Sequence, residues 1–149
     1  MDANVFRCES CGAFNRVPAG KTGAPSCGRC HRALSTSGAP QEVDEAGLVR
    51  AIAGSPVPLL VDFWAPWCGP CRMVAPTVDR LARDQAGRVV VLKVNTEAHP
   101  GAGARHGVRG IPTFAVFSGG AEVGRQSGAL PLHMLQALIE PALRASAHP

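Results

Sequence analysis

The chain has 149 residues, 46% of them hydrophobic, and a formal net charge of +4. That length holds one ordinary domain of roughly 100 residues plus a small appendage, and no apolar run approaches the ~20 residues of a membrane-spanning helix. The charge is thin for nucleic acid, which needs several cations clustered on one face: residues 1–40 supply +3 of it, from Arg7, Arg16, Lys21, Arg29 and Arg32 against Asp2 and Glu9.

The opening, MDANVFRCES, has an acid at position 2 and lacks the apolar core of a signal peptide, so the expected location is the cytoplasm. Thiols stay reduced there, and closely spaced cysteines serve as metal ligands or catalysts rather than permanent staples. All six cysteines fall into CxxC pairs: Cys8/Cys11, Cys27/Cys30 and Cys68/Cys71.

From Met1 to Leu34 the large apolar residues are few (Val5, Phe6, Phe14, Val17, Leu34), and glycine, proline and cysteine abound. Such a segment cannot bury enough surface to order itself. Fifteen residues separate its two CxxC pairs, the spacing of a four-cysteine zinc site. Cys8, Cys11, Cys27 and Cys30 are therefore expected to hold one structural zinc ion, leaving no open position for chemistry and turning binding energy into folding energy. With that ion the segment carries a net charge near +1. The competing readings are two reducible disulfides or a second dithiol, and His31 is an alternative ligand. The segment, residues 1–34, resembles a zinc ribbon; residues 35–40, Ser-Thr-Ser-Gly-Ala-Pro, form the expected linker.

Residues 41–149 follow as the second unit. Asp44 caps a helix expected over Glu45–Ala53 and stopped by Gly54. Val57–Phe63 and Val89–Val94 are apolar runs suited to strands covered on both faces. Between them Cys71–Ala86 has helical spacing, with Pro76 as an expected kink. Thr113–Phe117 and Glu122–Gln126 flank a Gly-rich turn and form a hairpin, and Leu132–Leu143 is an amphipathic helix. The order α, β, α, β, α, β, β, α implies an α/β fold, a mixed sheet with helices on both faces. Phe63, Val74, Val78, Leu92, Val94, Phe114 and Val116 are its expected core.

The spacing of Cys68 and Cys71 alone does not separate metal binding from redox chemistry. Four cysteines already complete one zinc site, and His99, His106 and His133 stand near no other candidate ligand in sequence; a second metal site would need convergence in space. For the redox reading, Cys68 ends a buried strand and opens a helix, where unpaired N–H groups and the helix dipole favour thiolate. Pro70 fits the first turn. Cys71, deeper in the helix, is expected to be the more buried and less ionised resolving thiol.

With these residues in place, VDFWAPWCGPCRMVAP (Val61–Pro76) resembles the active-site segment of the thioredoxin family, and the likeness extends over about residues 40–147. Lys93 on the next strand, Gly110-Ile111-Pro112-Thr113 before the hairpin, Gly120 in its turn and Gly128-Ala129 before the last helix match the family in order. With the zinc-ribbon-like extension, the chain most resembles the zinc-containing bacterial branch. The resemblance implies the thioredoxin fold and protein-disulfide reduction by Cys68 and Cys71. It implies that Asp62 moves the proton of Cys71, with a structural ion pair to Lys93 as the plainer alternative. Pro112 is expected to follow a cis peptide opposite Cys68, freeing the Ile111 backbone for an extended substrate. Trp67, Gly69, Pro70, Gly128 and Ala129 would border that groove. Implied partners are thioredoxin reductase and disulfide-containing client proteins, with the chain itself a monomer. No dinucleotide fingerprint is present, so neither nucleotide nor flavin is expected on this chain. Two rivals remain at this level: the ribbon as a docking or nucleic-acid-binding module with Phe6 and Phe14 as its aromatic platform, and a thiol oxidase running the reaction in reverse. A zinc site that responds to oxidants is a further expectation.

Overall fold

The computed structural model describes residues 3–18, 20 and 23–146. At its centre lies the apolar run that follows Pro58, strand β4 (Leu59–Trp64) of a five-stranded sheet. Around it, in chain order, come β1 (Ala3–Arg7), β2 (Phe14–Pro18), β3 (Gln41–Glu42), α1 (Glu45–Gly54), then α2 (Gly69–Asp84), β5 (Val90–Asn95), α3 (Pro100–Arg105), β6 (Thr113–Ser118), β7 (Ala121–Ser127) and α4 (Leu132–Ser146). The sheet order is β3-β5-β4-β6-β7. β3 and β4 run parallel to β5, while β6 is antiparallel to β4 and β7.

Side chains alternate between the two faces. Leu60, Val91, Phe114 and Val116 point to one side, where Val74, Val78 and Leu81 of α2 and Leu135 and Ile139 of α4 cover them. Leu59, Val61, Phe63, Leu92 and Val94 point to the other, under Leu48 and Ala51 of α1 and Ala102 of α3. All seven expected core residues are buried.

Several boundaries shift for local reasons. β4 starts at Leu59 rather than Val57 because Ser55 Oγ donates to the Val57 carbonyl at 2.6 Å and accepts from its N–H at 3.2 Å, a turn that competes with the ladder. α2 starts at Gly69 rather than Cys71, with Cys68 as its cap. Pro76 lies inside α2 as expected, and Pro141 lies inside α4, which was not anticipated.

The amino-terminal segment contains strands that its sequence did not announce: β1 and β2 pair antiparallel, Val5 opposite Arg16. Phe6, Leu34, Cys8 and Cys27 form a small buried cluster against Ala86. Phe6 is buried and Phe14 packs on the α1/α3 side of the sheet, so the pair offers no aromatic platform. Val5 N–H donates to the Gly87 carbonyl at 2.9 Å. Gly38, at φ +78°, lies so close to the end of α2 that a Cβ there would stand 2.5 Å from Ala86 Cβ, and only glycine adopts that conformation freely.

Candidate active site and metal centre

Cys68 leaves β4 through the Ala65-Pro66-Trp67 turn and caps α2. Its carbonyl accepts from Arg72 N–H at 3.2 Å, and its Sγ accepts from Cys71 N–H at 3.2 Å. The sulfur thus faces the orphan donors of the first turn, the arrangement that favours thiolate when the pair is reduced. Cys68 and Cys71 lie at disulfide-bonding distance, with Cα atoms 5.2 Å apart. Both are buried, at 4% and 3% exposure, so the expected difference in burial is absent in this state. Gly69 and Pro70 form the exposed first turn beside them.

The Ile111–Pro112 peptide is cis, and the Ile111 carbonyl oxygen lies 3.8 Å from Cys68 Sγ. Gly128 N–H donates to the Pro112 carbonyl at 2.9 Å, which brings Gly128 and Ala129 to this rim. Trp67, 68% exposed, stands over a cleft lined by Thr96, Pro100, Val108, Arg109 and Ile111. Trp64 instead packs against the cysteine pair.

Asp62 sits in the middle of β4 at 1% exposure, on the Leu60 face that α2 covers. Its Oδ1 has no hydrogen-bond partner among the described residues. Burial pushes its pKa up to about 7, with Lys93 opposing and Glu42 adding to the rise. Lys93 is its register partner on β5, yet the ammonium lies 4.6 Å over the Trp64 ring. An Asp62–Lys93 ion pair is not among the salt bridges of the described residues.

The four amino-terminal cysteines converge, all their sulfurs lying within 4.8 Å of one another. Cys8 and Cys30 sulfurs are 3.7 Å apart, and Cys11 and Cys27 sulfurs 3.6 Å. A metal–sulfur distance of about 2.3 Å in a tetrahedron places sulfurs about 3.8 Å apart, so the cage fits zinc. Each CxxC forms the same turn: Gly12 N–H returns to the Cys8 carbonyl and His31 N–H to that of Cys27. Gly12 and His31 both take positive φ; His31 is exposed and not part of the ligating group. The N–H groups of Cys30 and Arg29 hold the Cys27 thiol down to about 5. Cys30, although it accepts from Arg32 N–H, is pushed up to about 11 by burial and by the neighbouring thiols. Four sulfurs this close cannot all ionise without a cation among them, the chemistry of a thiolate-bound dication. Asn15, which sequence reading missed, supports the cage by donating to Cys27 Sγ at 3.5 Å and accepting from Gly28 N–H at 2.8 Å. Among the described residues this is the one group of three or more ligating side chains close enough to share an ion.

The thioredoxin family model matches residues 40–141. The chain belongs to the thioredoxin family. A second model, described as the amino-terminal part of thioredoxin 2, matches residues 7–32, the segment that carries the four-cysteine cage. Thioredoxin C-3 of Corynebacterium nephridii is 44% identical over 141 residues, covering 94% of this chain and 96% of its own length. Thioredoxin 1 of a Nostoc species is 45% identical over 102 residues, 68% of this chain and 95% of its own. A solved thioredoxin variant from Halobacterium salinarum aligns with a TM-score of 0.66 at 30% identity, over 73% of this chain and 95% of that one. As a thioredoxin, the chain is a thiol–disulfide oxidoreductase, and none of its described helices is long and apolar enough to cross a membrane.

Proposed function

We propose that the chain is a cytoplasmic protein-disulfide reductase that works on client proteins, is returned to its dithiol form by thioredoxin reductase, and holds one structural zinc ion in residues 1–34. The observation that carries this reading is the capped Cys68 sulfur at the start of α2, with the Asp62 carboxyl buried on the sheet face that α2 covers and its pKa raised to about 7. Cys68 thiolate attacks one sulfur of a client disulfide; a mixed disulfide forms, and the client's other sulfur leaves as thiolate. Asp62 takes the proton of the Cys71 thiol, and Cys71 then attacks Cys68 Sγ. The Cys68–Cys71 disulfide forms, the client's second sulfur leaves, and two electrons have passed to the client. A group with pKa near 7 suits this proton transfer at neutral pH. The Ile111 carbonyl beside Cys68 Sγ supports docking of an extended client segment by backbone pairing, while Trp67, Gly69, Pro70, Gly128 and Ala129 shape the approach. Lys93 and Pro112 complete the site.

Zinc, when bound to Cys8, Cys11, Cys27 and Cys30, supplies the charge that lets four thiolates coexist and orders the ribbon; the 35–40 stretch joins that unit to residues 41–149. Oxidation of the four thiolates would release the ion, making the segment oxidant-responsive. The test is insulin reduction followed by turbidity, coupled to a thioredoxin reductase, with zinc quantified in the same samples. Wild type is expected to reduce insulin with one zinc per chain and Cys68→Ser to be inactive with zinc retained. Activity in Cys68→Ser, or metal on the 68/71 pair, would refute the assignment.

A further inference from the structure

Three ionisable side chains stand in one row across the sheet. Asp62 on β4 is registered with Lys93 on β5, and Lys93 with Glu42 on β3. By the alternation of faces all three point to the side that α2 covers, with neutral Phe114 as the Asp62 partner on β6. The indole of Trp64 ties the row together: its Nε1 donates to Glu42 Oε1 at 3.3 Å, and the Lys93 ammonium rests on its ring.

β3 has only two residues and lies at the sheet edge. One side is held by pairing with β5 and by Val43 N–H donating to the Lys93 carbonyl at 2.9 Å. The other is clasped by the amino-terminal segment. Arg7 Nη1 donates to Gln41 Oε1 at 2.8 Å, and Gln41 Nε2 donates back to the Arg7 carbonyl at 2.9 Å. Arg7 is only 9% exposed and directly precedes Cys8, so the clasp joins the cysteine cage to the residue before Glu42.

We propose that Glu42 is a positioning residue of the redox site, fixing Trp64 and Lys93 beside Asp62, and that the Arg7–Gln41 clasp makes its placement depend on the ribbon. The consequence for catalysis rests on the proton-carrying role proposed for Asp62; the placement itself does not. Glu42 keeps an exposed face at the sheet edge, and partial burial of its carboxyl moves its pKa upward, against the Trp64 hydrogen bond and the charges of Lys93 and His99. The groups acting on Asp62 are thus Lys93 and Glu42, since Cys68 and Cys71 do not titrate while joined.

The test uses the full-length, zinc-replete protein in its disulfide form, which removes thiol titration. Carbon-13 NMR of the Asp62 carboxyl and the nitrogen-15 indole signal of Trp64 are followed against pH in wild type, Glu42→Gln and Gln41→Ala. Two strand spacings separate Glu42 from Asp62, about 9.6 Å, and at an effective dielectric of about 20 losing one charge lowers the Asp62 midpoint by about 1 unit, an upper figure because Glu42 is exposed. In the dithiol form, the reduction rate at a pH below the midpoint would then rise by up to about tenfold. The Trp64 signal should lose its Glu42 titration step in Glu42→Gln, and in Gln41→Ala both signals should move towards those of Glu42→Gln with zinc still bound. An unmoved Asp62 midpoint in Glu42→Gln overturns the positioning role, and wild-type signals in Gln41→Ala overturn the ribbon link. If the Asp62→Asn pH–rate profile matches wild type while the NMR shifts stand, the proton-carrying role falls and the placement survives.

Discussion

Asp62→Asn should make the protein more stable at alkaline pH, and the size of the gain follows from the raised Asp62 pKa, set by burial with Lys93 opposing and Glu42 adding. The Asp62 carboxyl has its pKa raised from 3.8 to about 7, so between those values the folded chain keeps a proton that the unfolded chain has released. Stability therefore falls as pH rises through that window and is lowest above it. A shift of about 3 units at 1.36 kcal/mol each corresponds to about 4 kcal/mol, an upper figure for a group this buried. Asparagine lacks the charge, although burying an amide short of partners costs about 1–3 kcal/mol of its own. That cost does not depend on pH and cancels when the mutant-minus-wild-type difference is taken at two pH values. Urea unfolding of the disulfide form at about pH 4 and about pH 8 should give differences that diverge by about 3–4 kcal/mol, the mutant gaining on the alkaline side. Parallel curves for the two proteins would mean that Asp62 titrates as an ordinary surface acid, and the proton-retaining site would not exist.

Other perturbations read different parts of the molecule. Gly38→Ala places a Cβ 2.5 Å from Ala86 Cβ and 2.8 Å from the Ala82 carbonyl oxygen at a positive φ; it should cost at least about 2 kcal/mol in urea unfolding, and a neutral result would show that the turn can yield. His106 packs its ring between Phe63 and Phe117, its Nε2 is buried without a partner among the described residues, and burial lowers its pKa below 6.5. The unfolded chain thus takes up a proton first as pH falls, and His106→Phe should reduce the loss of stability below about pH 6.5 seen in thermal melts, where an unchanged acid slope would discount the histidine. If the proposed zinc orders residues 1–34, a zinc chelator should open them to limited proteolysis while residues 41–149 stay protected, and resistance of the segment would point to disulfides or packing as its staple.

The redox centre was legible because its chemistry is local. A cysteine at a strand-to-helix junction, a proline in the next turn and an acid inside an apolar strand are all visible within Val61–Pro76, and the geometry follows from where helix donors must point. The cysteine cage was legible for a related reason: two CxxC turns at this spacing bring their four sulfurs together, within 4.8 Å of one another. The hairpin of β1 and β2 was not, since Val5 and Phe6 are adjacent and bury together, so no period of two appears. β3 is too short for any period, and its two residues look like the polar end of a linker.

What remained hidden has one physical cause. Gln41 meets Arg7 across 34 positions of sequence, and Glu42 meets Trp64 across 22. Neither contact leaves a local pattern, because an arginine beside a cysteine knuckle and an acid before a helix cap each look like ordinary solvated charge. Only the register of β3 on β5, fixed by backbone pairing, aligns that acid, exposed at the sheet edge, with the row of Lys93 and Asp62. A two-residue strand, the least visible element in the chain, therefore decides which charges stand in register with the buried Asp62, and the cysteine cage lies one residue away from its clasp.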